Sequence, residues 1–406
     1  DDLNGLAAQA WVTTAFLITS TIATPLYGKL SDIYGRKPLF LFAIGVFILG
    51  SALCGLSTSM YMLAGFRAFQ GIGAGGLMSL ALAIIGDIIP PRERAKYQGY
   101  FMAVFATSSV LGPVVGGFFA GADKILGIPG WRYIFYINVP IGIVALVVVT
   151  KVLHVEHHRH EHRIDWVGAI MLVVGLVPLL IVAEQGQSWG WGSGAAFACY
   201  VVGVAGLITF VRTESKLGDE ALLPLRLFRI GPFAVGSAQS FVIGVGMFGG
   251  MMSIPLYLQI VKGASPTKAG LLVLPMVAGM MIASLTAGQL TARTGRYKIF
   301  PVVGSALLVV GLALLHTVHA DTSLVVTDIY MIVFGSGLGL NMQAMVLAMQ
   351  NAVPPKDMCV ATSSTTFFRQ VGGTLGTAVF LSILFSTAGP KIQSAYDKAG
   401  KTKDFQ

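Results

Sequence analysis

The chain has 406 residues, of which 55% are hydrophobic and 11% charged, and its mean hydropathy is +0.76; that composition excludes a water-soluble globular domain and leaves an integral membrane protein. Its net charge of +9 does not point to nucleic acid, because the basic residues stand singly or in threes between apolar runs, as in cytoplasmic loops under the positive-inside rule. Three cysteines, Cys54, Cys199 and Cys359, lie far apart inside apolar runs and give no disulfide framework or metal spacing.

Taken in chain order, runs with little or no charge and of helical length cover roughly 8–27, 38–56, 60–86, 98–122, 133–150, 166–183, 193–211, 232–260, 269–290, 299–320, 322–350 and 358–390. Each matches the roughly 20 residues needed to cross a hydrocarbon core about 30 Å thick, so twelve transmembrane helices are predicted. Most of the 27 Lys and Arg residues fall on the face that carries the loop after the first run, which makes that face cytoplasmic.

That first loop, Gly28-Lys29-Leu30-Ser31-Asp32-Ile33-Tyr34-Gly35-Arg36-Lys37-Pro38, organises the rest. It is expected to be a tight turn at the membrane surface. Gly28 and Gly35 let two helix ends approach, while Asp32, Arg36 and Lys37 stay out of hydrocarbon and set where each helix stops. A related stretch, Gly288 to Lys298, repeats Gly28, Leu30, Gly35 and Arg36 as Gly288, Leu290, Gly295 and Arg296, 260 positions later. Gly71, Gly73, Gly75 and Pro90-Pro91-Arg92-Glu93 recur as Gly335, Gly337, Gly339 and Pro354-Pro355-Lys356-Asp357, 264 positions later. The economical explanation is two homologous halves joined head to tail.

The repeat divides the chain into 1–151, a first bundle; 152–230, two linker helices that belong to neither half; and 231–406, a second bundle. Counting helices around the repeated loop gives six per half, with the first and last absent from this chain and fourteen in the intact protein; the chain also opens on Asp1, which suggests a fragment, expected to be inactive alone.

Individual polar residues inside the runs are the next signal. Arg67 lies about seven residues into its span, where an insertion cost of ~2.5–3.5 kcal/mol requires a wet cavity or a carboxylate. Its repeat counterpart is Met331, so this chemistry belongs to one half only. Gly112, Pro113, Gly116 and Gly117 combine small residues at helical spacing with a kink, suited either to ordinary tight packing or to sealing one end of the bundle. Arg369, near Gln370, Gly372, Gly373 and Gly376, reads as lining a cavity or as a packing residue, with Asp328 the one intramembrane acid in view.

The second half is rich in methionine (Met247, Met251, Met252, Met276, Met280, Met281, Met342, Met345, Met349), with Phe241 and Phe248; flexible thioethers suit a promiscuous apolar pocket, although most such residues are core or lipid-facing. Gln239, Tyr257, Gln259, Asn341 and Gln343 are the polar candidates for that cavity. His154, Glu156, His157, His158, His160, Glu161 and His162 form a solvated linker rather than a metal site, for no second ligand set accompanies them. Trp189 and Trp191 read as interfacial anchors.

These motifs carry a resemblance. Gly28 to Lys37 resembles the loop signature between the second and third helices of the major facilitator superfamily, and Leu63-Ala64-Gly65-Phe66-Arg67-Ala68-Phe69-Gln70-Gly71 resembles its fourth-helix motif with an intramembrane Arg. Gly112-Pro113-Val114-Val115-Gly116-Gly117 resembles the fifth-helix motif associated with antiporters. Trp131 to Gly142, with Leu256-Tyr257-Leu258-Gln259 and Gly263-Ala264-Ser265-Pro266, is similar to the fourteen-helix drug:proton antiporter branch.

The resemblance implies an all-α, polytopic membrane fold of two pseudo-symmetric six-helix bundles with two extra linker helices. It implies a latch of the outward-facing state, in which Asp32 accepts amide hydrogen bonds at the start of the helix near Val360 to Ser363 and Arg36 pairs with Asp87; the alternative is plain topology. Gly288, Gly295 and Arg296 are the latch equivalents in the second half. For Arg67 it implies proton coupling with a carboxylate on the first helix, against the alternative of snorkelling or bonding backbone carbonyls.

The expected function is a secondary active exporter, exchanging lipophilic or cationic compounds for protons by alternating access in a bacterial cytoplasmic membrane, as a monomer, with no cofactor, metal or nucleic acid. Proton-coupled uptake or transfer of lipid-like substrates on the same fold is the alternative. A channel has no use for duplicated latches, and an enzyme needs a metal or nucleophile constellation that the spans do not show. With no Gly-x-x-x-x-Gly-Lys-Ser/Thr loop in the chain, an ion gradient must supply the energy.

Overall fold

The structure is a computed structural model; it describes residues 9–120, 122–154, 165–354 and 357–399, with some helical side chains, including those of Asp32, Pro113 and Gln343, outside that description. The fold is all-helical, apart from a two-stranded ribbon, Lys124–Ile125 with Ile128–Pro129. The first half comprises α1 (Gln9–Tyr34), α2 (Arg36–Gly55), α3 (Met60–Ile88), α4 (Pro91–Ala120), and the pair α5 (Tyr133–Tyr136) and α6 (Asn138–Val152). The linker hairpin is α7 (Trp166–Trp189) and α8 (Gly194–Leu217). The second half comprises α9 (Gly231–Ile260), the pair α10 (Pro266–Leu272) and α11 (Leu274–Thr294), then α12 (Ile299–His316), α13 (Leu324–Ala352) and α14 (Met358–Ala399).

Nine spans among the described residues are long and apolar enough to cross a membrane. The helices outside that set are α1, α4 and α14, all of which face the other half.

Helix starts on the face away from the repeated loops are fixed by serine. Ser59, Ser193, Ser265 and Ser323 each accept a hydrogen bond from the amide three residues on, satisfying a donor that the first turn leaves free. Ser59 and Ser323 are 264 positions apart, so the caps follow the repeat.

The repeated glycine triplets explain how each half packs. Residues i and i+4 share a helix face and i+2 points away, so α3 can wedge between two neighbours. A Cβ on Gly71 or Gly75 would lie 2.6 Å from the Phe16 carbonyl or 2.4 Å from that of Ser20, both on α1, and one on Gly73 would lie 2.6 Å from the Ala43 carbonyl on α2. Gly335 and Gly339 press equally closely on Met276 and Met280 of α11, and Gly337 on Leu308 of α12. Each half is therefore built backbone to backbone, in the same arrangement.

The halves meet through two equivalent seams, α1 against α14 and α4 against α11. Gly86 of α3 lies against Gln350 of α13, its own repeat equivalent, as a contact on a pseudo-twofold axis must. Both repeated loops lie on one face: Gly99, near the start of α4, packs on Leu285 towards the end of α11. The linker helix α7 covers only the α1/α14 seam, where Leu172, Leu176 and Leu180 share a core with Ile18, Ile22 and Phe367.

One expectation is corrected here. Residues 28–34 are not a loop: α1 continues through them to Tyr34, Gly35 alone breaks the helix at φ 93°, and α2 begins at Arg36. At about 1.5 Å per residue a helix of this length outruns the hydrocarbon, so its charged last turns lie at the surface with their backbone hydrogen bonds intact. The second copy behaves alike, α11 ending at Thr294 and Gly295 turning the chain at φ 70°.

Candidate functional site

The seam beside the first repeated loop carries polar contacts between the halves. Gly28 sits against the start of α14: a Cβ there would fall 2.3 Å from Ser363 Oγ. Three residues on, Ser31 Oγ lies 3.2 Å from Cys359 Sγ, also on α14. Arg36, the first residue of α2, donates from Nη1 to Ser31 Oγ at 2.7 Å and from Nε to Asp87 Oδ2 at 2.7 Å. The resulting chain, Asp87 to Arg36 to Ser31 to Cys359, ties α3, α2 and α1 of the first half to α14 of the second. Arg36 and Asp87 are therefore brought together as the sequence reading paired them. The side chain of Asp32 lies outside the described residues.

The pair is partly buried, the Arg36 side chain 12% and that of Asp87 28% exposed, and an ion pair so close to the surface contributes on the order of 1 kcal/mol. That size fits a contact made in one arrangement and broken in another. Its counterpart in the second half is absent: Arg296 is exposed, the position equivalent to Asp87 is Asn351, and no ion pair joins them among the described residues. Gly288 is buried in α11 and Gly295 ends it, so the second elbow keeps the shape without the charge pair.

Deeper in the same seam, Thr24 Oγ1 donates to Gln370 Oε1 at 3.1 Å, across from α1 to α14. A bidentate pair on the other side of α14's start, Arg226 Nη1 and Nη2 on Asp357 Oδ2 and Oδ1 at 3.0 and 2.8 Å, anchors the connector that enters α9. The sequence reading did not single out Ser31, Thr24 or Arg226; in one dimension nothing distinguishes them from other loop and helix residues.

Arg67 faces α1. Its Nε donates to the Val12 carbonyl at 3.3 Å and its Nη1 to Gln70 Oε1 at 2.8 Å, while the guanidinium lies 4.0 Å from the centroid of the Phe16 ring. Buried Gln70 in turn donates to Ser51 Oγ on α2. Among the described residues no carboxylate pairs with Arg67, and its contacts are those of the backbone-carbonyl alternative.

Among the described residues no atom lies within 4 Å of a Cβ built on Gly112 or Gly116 of α4; Gly117 is half-buried, and the side chain of Pro113 is undescribed. On α14, Gly372 and Gly376, the latter the repeat counterpart of Gly112, lie under α9 with Cβ positions 2.1 Å from the Phe241 carbonyl and 2.6 Å from that of Val245.

The cavity candidates separate. Gln239 Nε2 donates to Ser305 Oγ at 3.0 Å and to Asn341 Oδ1 at 3.2 Å, and Asn341 Nδ2 to the Gly337 carbonyl at 2.9 Å. This is a satisfied knot joining α9, α12 and α13, with Asn341 fully buried. Tyr257 and Gln259 lie in the last turn of α9, Tyr257 donating to the His319 carbonyl at 2.9 Å and Gln259 exposed, so they are placed at the bundle's end rather than midway. Gln343 belongs to α13, its side chain undescribed. Arg369 is buried in α14, and no ion pair joins it to Asp328. Of the methionines, Met247, Met276, Met280, Met342 and Met345 are core, packed with Phe334 and Leu338. Of the histidine-rich stretch, only His154 falls within the described residues.

The model of the Major Facilitator Superfamily matches residues 1–377. The chain belongs to that superfamily. Among similar proteins, "Uncharacterized MFS-type transporter Rv1877" of Mycobacterium tuberculosis is 39% identical over 395 residues, 97% of this chain and 56% of that protein. "Multidrug transporter protein MdtP" of Bacillus subtilis is 35% identical over 96% of this chain and 70% of its own length, and "Multidrug resistance protein 3" of the same organism is 34% identical over 97% and 76%. The chain thus spans little more than half the length of the mycobacterial relative. In fold it is similar to the human organic anion transporter MFSD10, with a TM-score of 0.65 at 16% identity over 93% of this chain and 78% of that one. It is likewise similar to the proton:xylose symporter XylE, with a TM-score of 0.61 at 16% identity over 96% and 80%.

Proposed function

We propose that the protein is a proton-coupled efflux transporter that exports lipophilic or cationic compounds by alternating access, with Arg36, Asp87 and the Gly28–Ser363 approach as its latch. The observation that carries this reading is the chain of contacts from Asp87 through Arg36 and Ser31 to Cys359, which joins the two halves at one face through the uncharged Ser31–Cys359 contact. The printed names of the two Bacillus relatives, a multidrug transporter and a multidrug resistance protein, support the substrate class. In this reading Arg67 holds the outer half of α1 through Val12 and tunes proton exchange at that end, and the loop face is cytoplasmic. The protein works as a monomer in the cytoplasmic membrane, with protons, substrate and lipid as its partners.

The test uses the whole protein in lipid vesicles with an imposed pH gradient and a panel of lipophilic cationic dyes. Dye movement driven by the gradient, with proton release on adding dye, is expected. Neither dye nor proton movement would overturn the reading.

A further inference from the structure

The linker hairpin holds two acids that the latch does not use. Asp165 caps α7, its Oδ1 accepting from the Gly168 amide at 2.6 Å. Glu214 stands in the last turns of α8, its Oε2 accepting from the Leu223 amide at 2.8 Å. Glu214 is 1% exposed and Asp165 9%. The second oxygen of each, Asp165 Oδ2 and Glu214 Oε1, is buried and receives no hydrogen bond from an amide, hydroxyl or cation. Those two oxygens are neighbours: a Cβ on Gly168 would lie 2.0 Å from the first and 2.7 Å from the second.

Two ionised carboxylates offer only acceptors to one another, and unpaired buried negative charge at this separation is strongly unfavourable. One proton between them turns the repulsion into a hydrogen bond and satisfies both orphaned oxygens. Among the described residues no cation competes for the position. Arg212 and Lys216 on α8 are exposed, Glu220 follows on the connector, and Arg226 is engaged with Asp357. On the neighbouring helices, α1 contributes the buried Lys29, and α14 contributes Cys359, which faces Ser31.

We propose that Asp165 and Glu214 share a single proton and so form a proton-binding clasp at the root of the linker hairpin, closing α7 and α8 onto the connector at 221–224. The connector is the reason this matters. Leu222 and Leu223, which Glu214 holds by the backbone, are packed with Ile18 and Ile22 of α1 and Phe367 of α14, so the clasp bears on the seam between the halves. Loss of the proton leaves two like charges facing each other, parts α7 from α8 and frees the connector. The clasp senses pH at the loop face, whatever compound is carried.

The test is made on the whole protein in lipid nanodiscs, titrated between about pH 5.5 and 8.5. Infrared difference spectra should show a carbonyl stretch of a protonated carboxylic acid, lost as pH rises. It should be missing from both Glu214→Gln and Asp165→Asn, whose amide N–H takes the place of the shared proton. Hydrogen exchange at 221–224, corrected for its intrinsic pH dependence, should rise about tenfold in the wild type over the same range and stay flat in Glu214→Gln. A wild-type connector whose corrected exchange does not change with pH, or a carbonyl band present unchanged in both variants, overturns the proposal. The wild-type measurement decides even if a variant folds poorly.

Discussion

The two halves repeat one architecture but spend their polar residues differently. In the first half the elbow between its repeated helices carries Arg36 on Asp87; in the second the same elbow has an exposed Arg296 and Asn351 in the acid's place. Shape is held in duplicate by glycine contacts that tolerate no substitution, while charge is placed once, where it can be made and broken. The duplication supplies the hinge, and the departures from it supply direction.

The largest effects should come from the backbone contacts. Gly376→Ala places a methyl on the Val245 carbonyl and should destabilise the fold by about 1–3 kcal/mol, while Gly112→Ala in this chain should fall within about 0.5 kcal/mol of wild type. Thermal unfolding of the two variants in one detergent tests the contrast, and equal losses would erase it.

Next comes Gly28→Ala, whose Cβ meets Ser363 Oγ and Cβ at 2.3 and 2.8 Å; an overpacking of about 1–2 kcal/mol should hold the seam apart and depress transport. Adding Ser363→Gly removes both atoms and should restore the rate. Failure of the double variant to recover would mean that the glycine acts elsewhere.

A smaller change is expected at the ion pair. Arg36→Ala or Asp87→Ala should lower transport about fivefold, the effect of roughly 1 kcal/mol on the closed arrangement, with insertion unchanged, and Arg296→Ala should do almost nothing. Smallest of all, Asn351→Asp gives Arg296 an acid and should slow opening about twofold, an effect of about 0.5 kcal/mol that salt removes. If Arg296→Ala proved as damaging as Arg36→Ala, the asymmetry between the elbows would have no functional content.

Much of this was legible in one dimension because the signals are local or repeated. Apolar run lengths gave the helices, the 260- and 264-residue offsets gave the halves, and the pairing of Arg36 with Asp87, both at helix ends on one face, came with the resemblance of the loop motif. What was not legible depends on three-dimensional register. Charge was read as the end of a span, which stopped the seventh run at 211 and hid Glu214, a charged residue that α8 carries into the protein and buries. Gly28 to Tyr34 was read as a loop by the same rule, although a helix can run past the membrane surface. Gln239 and Asn341 were read as facing a cavity, but they bond each other and Ser305, because polar residues on adjacent helices satisfy one another first.

The most direct measurement uses a cysteine that the protein already has. With Cys54 and Cys199 replaced by Ala, Ser31→Cys faces Cys359 at the position where the Oγ and Sγ now stand 3.2 Å apart. Oxidation should form the cross-link, stop transport completely, and release it on reduction, with Cys359→Ala as the control that stays active. A variant that fails to cross-link, or that transports at the unlinked rate once cross-linked, would contradict the claim that these two helix ends must separate for the protein to work.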